Sequence, residues 1–133
     1  MPRRDARMYL VDILDACAAL QSHVGDCDEA AFRNTRIVRA AVEREFSIIC
    51  EAVVQLIKLD PSIAGRISDS RGIAHFRNIL IHAYDLVDPA RMWSIVREDI
   101  PTLRREVLLL LEAQAGDGAG RADLGAADRK SVV

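Results

Sequence analysis

Apolar residues recur along this chain at steps of three and four, the periodicity of helices that bury one face. Between Arg4 and about His23, Met8, Val11, Ile13, Leu14, Cys17, Ala18 and Leu20 trace one such stripe, and Gly25 ends it. Asp26 or Asp28 is placed to cap a short helical turn carrying Phe32. From Thr35 to Leu59 the stripe is widest, running through Ile37, Val38, Ala41, Val42, Phe46, Ile49, Cys50, Val53, Val54, Leu56 and Ile57. Arg36, Arg39, Glu43, Arg44 and Glu45 mark its wetter side, with Arg39 and Glu43 spaced to pair. Pro61 opens a short segment, and Ser68-Asp69-Ser70-Arg71-Gly72 reads as loop and cap before a helix from about Gly72 to Leu86. Asp88-Pro89 starts another, since Asp caps and Pro is tolerated at the first helical position. Pro101 is expected to restart the chain once more, giving a closing helix to about Ala115. No stretch alternates with period two. The predicted architecture is all-α, an up-and-down helical bundle of four to five helices over residues 1–115, with residues 116–133 as a flexible, Gly- and Ala-rich tail.

Composition narrows the picture further. The chain has 133 residues, enough for one hydrophobic core and too few for a second domain. Its net charge of −2 supplies no global field for nucleic acid, so any phosphate contact has to come from a local patch. Cys17, Cys27 and Cys50 are odd in number and lack the spacing of a metal site, and no apolar signal region follows Met1-Pro2-Arg3-Arg4. A reduced, cytoplasmic protein is expected, with Cys17 and Cys50 filling the core. The apolar run from Ser47 to Leu59 is broken by Glu51, Gln55 and Lys58 and is too short to span a bilayer, so no membrane role is indicated.

Candidate chemistry concentrates in Arg77-Asn78-Ile79-Leu80-Ile81-His82-Ala83-Tyr84-Asp85. On a helix, Phe76, Ile79, Leu80, Ala83 and Leu86 fall in one apolar arc, and Arg77, Asn78, His82, Tyr84 and Asp85 occupy the other side. Ile81 sits in the middle of that polar side. An exposed β-branched residue among Arg, Asn, His and Tyr points to a partner surface rather than bulk water, and a second copy of the chain is one candidate. Arg77 and His82 lie about 140° apart around the axis, whereas Asn78 and His82 share one flank and Arg77 and Tyr84 the other. A site that needs both flanks is most easily closed by two such helices across a two-fold axis. Glu51, a carboxylate between apolar neighbours, wants a cationic partner, and Arg77 can pair with it or with Asp85.

The ordered pattern RNxxxHxY in FRNILIHAYDLVD resembles the signature helix of the HEPN superfamily, and specifically of HepT-like toxins. The resemblance extends through AVEREFSIICEAVVQL before it and MWSIVREDIPTLRREV after it, covering most of residues 4–113. It implies a helical bundle that dimerises with its motif helices facing one another. It also implies a metal-independent endoribonuclease, with Arg77 and His82 as the catalytic pair and Asn78 orienting His82 or the phosphate. The chemistry suits the side chains: a neutral imidazole takes a proton from a ribose 2′-OH or gives one to the leaving oxygen, and a guanidinium clamps phosphate. Tyr84 matches the tyrosine that, in HepT-like proteins, is nucleotidylated by an MntA-like nucleotidyltransferase antitoxin. The implied setting is thus a type VII toxin-antitoxin pair, with RNA as substrate and no cofactor. A non-catalytic helical partner of a nucleotidyltransferase is the alternative from a different class, and a plain bundle dimer without ligand is the third.

Overall fold

A computed structural model describes residues 4–82 and 87–121, with side chains through Gly116, and among these every regular element is helical. The elements are α1 (Ala6–Val24), α2 (Glu29–Asn34), α3 (Arg36–Leu59), α4 (Pro61–Ala64), α5 (Ser70–His82), α6 (Pro89–Ser94), a π-helical segment (Ile95–Asp99) and α7 (Ile100–Arg121). The expected all-α bundle is present, carried by the four long helices α1, α3, α5 and α7.

Local chemistry sets most of the boundaries. Asp5, Asp28, Asp60 and Asp88 each cap a helix by accepting a backbone N–H with the side chain, which satisfies donors that have no partner inside the helix. At Asp60 the hydroxyl of Ser62 and the amide of Ile63 stabilise the ionised carboxyl and hold it below the usual carboxylate range. Helix α1 stops at Gly25, whose φ of 53° lies in the left-handed region that favours glycine. Asp28 is thus the residue that caps the Phe32 turn.

Helix α3 is the centre of the bundle, packed against α1 on one side and α5 on the other, while α7 packs on α1. Most of its stripe is buried: Val42, Val53 and Leu56 are fully enclosed, and Phe46, Ile49 and Cys50 nearly so, whereas Ile37, expected in the stripe, lies in the first turn and is 78% exposed. Leu10, Ile13, Cys17 and Leu20 of α1 meet this stripe, with Phe32, Met92, Ile100, Leu103 and Val107 closing the core. Phe32 packs on the Trp93 ring at 5.3 Å between centroids. Burial pushes the Cys50 thiol up to about 12 and the Cys17 thiol up to about 11, so both stay protonated and inert at neutral pH, in keeping with their role as core filler.

Three details differ from the expectations. Pro101 does not restart the chain. The run from Pro89 to Arg121 is continuous, and its five π-helical residues end where the Ile100 amide donates to the Ile95 carbonyl. Proline lacks an N–H and its ring crowds the carbonyl four residues back, here that of Arg97; widening the helix by one residue just before it accommodates both defects. Helix α7 also continues past Ala115 to Arg121, while residues 122–133 of the expected tail lie outside the described residues. Finally, Arg39 does not pair with Glu43. Its guanidinium donates instead to the carbonyls of Phe32 and Arg33 in the last turn of α2.

The seat of α5 is lighter than that of the other long helices. None of its residues is fully buried; Ile73, Phe76 and Leu80 are half-buried at the core edge. Phe76 meets the enclosed Phe46 ring of α3 edge to face at 6.0 Å. Phe46→Ala should therefore cost about 3–5 kcal/mol in urea unfolding, the range for truncating a buried aromatic. A cost below about 1 kcal/mol would show that α5 is not held through this contact.

Candidate active site on the α5 rim

Helix α5 begins with an unusual cap. Asp69 adopts a φ of 55°, left-handed for a non-glycine residue but tolerated by Asp, and from there its carbonyl accepts the Ile73 amide and its carboxylate the Gly72 amide. A Cβ at position 72 would lie 2.3 Å from that carboxylate, so glycine leaves room for the cap. Ser68 is tied to α7 in turn, its amide and hydroxyl both donating to Glu106 at 3.0 and 2.5 Å. The start of the helix is thus clamped, and its far end carries the polar face.

That face follows the predicted arc. Asn78, Ile81 and His82 are exposed, and Arg77 is half-buried. Ile81 is 53% exposed in the single chain, an unusual position for a β-branched residue flanked by Asn78 and His82. Neither Asn78 nor His82 makes a side-chain hydrogen bond among the described residues. Tyr84 and Asp85 lie outside the described residues, so Arg77 is settled by its other candidate partner. Its Nε lies 2.6 Å from the Oε2 of Glu51 on α3, with both side chains partly solvated. An ion pair this exposed contributes little to stability, in the range of about 0–1 kcal/mol. Its consequence is orientation, because one nitrogen of the fork is tied back to α3 and the rest of the guanidinium is held at the rim. Gln55 donates to the other oxygen of Glu51 at 3.0 Å and steadies the carboxylate.

Arg77 does not stand at a flat surface. A cleft of about 390 Å³ runs beside it over α3, walled by α5 through Arg77, Leu80 and Ile81 and by the start of α1 through Arg4 and Tyr9. Arg44, Ser47, Ile48 and Glu51 of α3 form its floor. Asn78 and His82 are on the other flank of α5, outside this cleft, as the i,i+4 spacing required. The structure therefore brings Arg77 and Glu51 together and leaves Arg77 and His82 of one chain on separate flanks. Reading the sequence missed the contribution of α1. Arg4 and Tyr9 lie more than sixty residues from the motif in sequence, and only the packing of α1 on α3 brings them to the same cleft. His23, given no partner by the sequence, lies 3.0 Å from Glu45 on the exposed surface, away from this site.

Among the described residues no group of three or more His, Cys, Asp and Glu side chains is arranged to hold a metal ion, and no helix is long and apolar enough to cross a membrane. Arg77, Asn78 and His82 on the rim of an all-α bundle define a protein of the HEPN class. The family model described as Ribonuclease HepT-like matches residues 13–110, and the chain belongs to that family. Its relatives include a protein of Methanocaldococcus jannaschii named "Putative RNase MJ1380", 35% identical over 80% of this chain and 97% of that protein. A second from the same organism, "Putative RNase MJ0125", is 31% identical over 80% of this chain and 90% of its own length. The "Probable ribonuclease HepT" of Thermococcus cleftensis is 32% identical over 77% of this chain and 92% of its own. No solved structure matches.

Proposed function

We propose that this protein is a metal-independent endoribonuclease of a type VII toxin-antitoxin pair, acting as a homodimer whose two α5 helices form one composite cleft. The observation that supports it best is an oriented Arg77 on the same helix as an exposed His82 that has no side-chain partner among the described residues. Membership of a ribonuclease family and relatives named as RNases supply the substrate.

In this mechanism neutral His82 takes the proton of a ribose 2′-OH, and the oxygen attacks the adjacent phosphorus. The P–O5′ bond breaks, and the leaving oxygen receives a proton from the imidazolium of the second copy's site. Arg77 spreads the charge of the phosphorane over its donors, and Asn78, one turn before His82, orients the imidazole or the phosphate. Two α5 helices are needed because Arg77 and His82 of one copy face different flanks. The products are a 2′,3′-cyclic phosphate and a free 5′-OH, with no metal in either step. Purified protein should cut RNA in the presence of EDTA, and Arg77→Ala and His82→Ala should each lower the rate at least about a hundredfold. Activity that chelation abolishes and a divalent ion restores would overturn the mechanism. Intact RNA under all conditions, with nucleotidyltransferase binding retained, would give the non-catalytic alternative.

The dimer places Ile81 in the interface near the two-fold axis, which accounts for its position in a polar arc. Ile81→Glu sets two like charges against each other there and should yield a monomer by light scattering. Wild type and variant of the same monomeric mass would remove the composite cleft.

Tyr84, seven residues beyond Arg77 and about 20° from it around a helix, is the silencing site. An AMP placed on its hydroxyl by an MntA-like nucleotidyltransferase antitoxin brings a phosphate to Arg77 in place of RNA. Incubation with that partner and ATP should add one AMP mass per chain, mapped to Tyr84 and absent in Tyr84→Phe. An equal gain on the Phe variant would leave Tyr84 as an interface residue.

A further inference from the structure

The cleft beside Arg77 contains more than the motif helix supplies, and its charges are unevenly matched. Three arginines enter it, one from each wall and one from the floor: Arg4 before α1, Arg77 of α5 and Arg44 of α3. Two are already neutralised, Arg4 by Asp12 at 2.7 Å and Arg77 by Glu51 at 2.6 Å. Arg44 is exposed and has no carboxylate at ion-pair distance among the described residues. It lies seven residues before Glu51 on the same face of α3, about 10 Å along the helix from the carboxylate that holds Arg77. On the α1 wall, the Arg4 guanidinium stacks over the half-buried Tyr9 ring at 4.7 Å from its centroid. The cleft beside Arg77 therefore offers one cation without a carboxylate partner among the described residues and one planar stacking pair.

We propose that this cleft is a subsite for single-stranded RNA, in which Arg44 takes a phosphate flanking the one held by Arg77, and Tyr9 with Arg4 stacks the intervening base. The inference rests on the ribonuclease reading above and names the form of its substrate. An arginine without a counter-ion attracts phosphate at no cost in broken ion pairs, whereas Arg4 and Arg77 must first yield theirs. Aromatic and guanidinium planes take any base once it is unstacked, and an intact duplex has none to offer. About 390 Å³ is at the small end of ligand cavities, suited to one splayed nucleotide. Tyr9 and Arg44 are binding residues here and touch no reacting atom.

The test uses the full chain and a labelled ten-nucleotide 2′-O-methyl RNA, which lacks the attacking hydroxyl, with binding read by anisotropy across a salt series. Arg44→Ala should lower the salt slope by about 0.7, one phosphate's share on a single strand, while Arg66→Ala, exposed and outside the cleft, should leave it unchanged. Tyr9→Leu should weaken binding by about tenfold, and Tyr9→Phe should restore it, since the ring and its packing return. In cleavage assays the Arg44→Ala loss should be larger for a ten-nucleotide RNA than for a dinucleotide, which carries the intervening base but no second phosphate for Arg44. If the wild type binds the decamer with these dependences but cuts no RNA, the nuclease mechanism fails and the subsite stands. If it cuts RNA while Arg44→Ala and Tyr9→Leu bind and cut as wild type does, the subsite alone is overturned. Conversion of either variant from dimer to monomer would make the cleft a surface for the second copy, and a duplex bound as well as the single strand with the same dependences would refute the strand preference. Should Tyr9→Leu lose its fold, the exposed Arg44→Ala still decides the outcome.

Discussion

Burial of the α3 stripe is the constraint on which the rest of the molecule depends. Val42, Phe46, Ile49, Val53 and Leu56 are enclosed by α1 on one side and reached by α5 on the other. At 3.6 residues per turn the same repeat forces Arg44, Ser47, Ile48, Glu51 and Gln55 onto the remaining face. Core packing thereby fixes where the floor of the cleft lies and which charges it shows. Glu51 reaches Arg77 because Phe46 and Phe76 set the distance between the two helices. A substitution deep in α3 would disturb the site through that spacing without touching a polar residue.

The motif helix is held differently from its neighbours. Its first turn is fixed by the Asp69 cap and by Ser68 on Glu106, whereas its far end reaches only the core edge, through Leu80. A helix that buries little against its own chain keeps a face for another molecule, and the stability of the monomer is carried elsewhere, by α1, α3 and α7. The π-helical segment serves that second role. By absorbing Pro101 it lets one continuous run from Pro89 to Arg121 carry Met92, Val96, Ile100, Leu103 and Val107 into the core, where a break would have split the wall in two.

The charge pattern of the cleft also clarifies how a nearly neutral chain can handle RNA. Net charge of −2 excludes long-range steering, yet Arg4 from just before α1, Arg44 of α3 and Arg77 of α5 converge on one small volume, two of them held by carboxylates that keep the guanidinium groups in place. Affinity in such a site comes from local geometry rather than from a basic surface.

What the sequence by itself determined is whatever depends on neighbours within a few residues. The helical period, the cap at Asp88, the stop at Gly25 and the exposure of Ile81, Asn78 and His82 opposite the Phe76–Leu80 arc were all legible, because backbone geometry alone sets them, while the cap before Phe32 was narrowed only to Asp26 or Asp28. The ordered Arg77-Asn78 and His82 motif was legible through its resemblance to the HEPN signature helix. What only the tertiary structure decided depends on helix packing: that Arg77 pairs with Glu51, that Arg39 caps α2 instead of meeting Glu43, and that Arg4 and Tyr9 join the cleft from the start of the chain. Pro101 marks the boundary between the two. Its missing donor is plain in the sequence, but whether the helix breaks or widens to a π turn depends on the gain from burying the residues on both sides of it, and that gain exists only once α1 and α3 are in place.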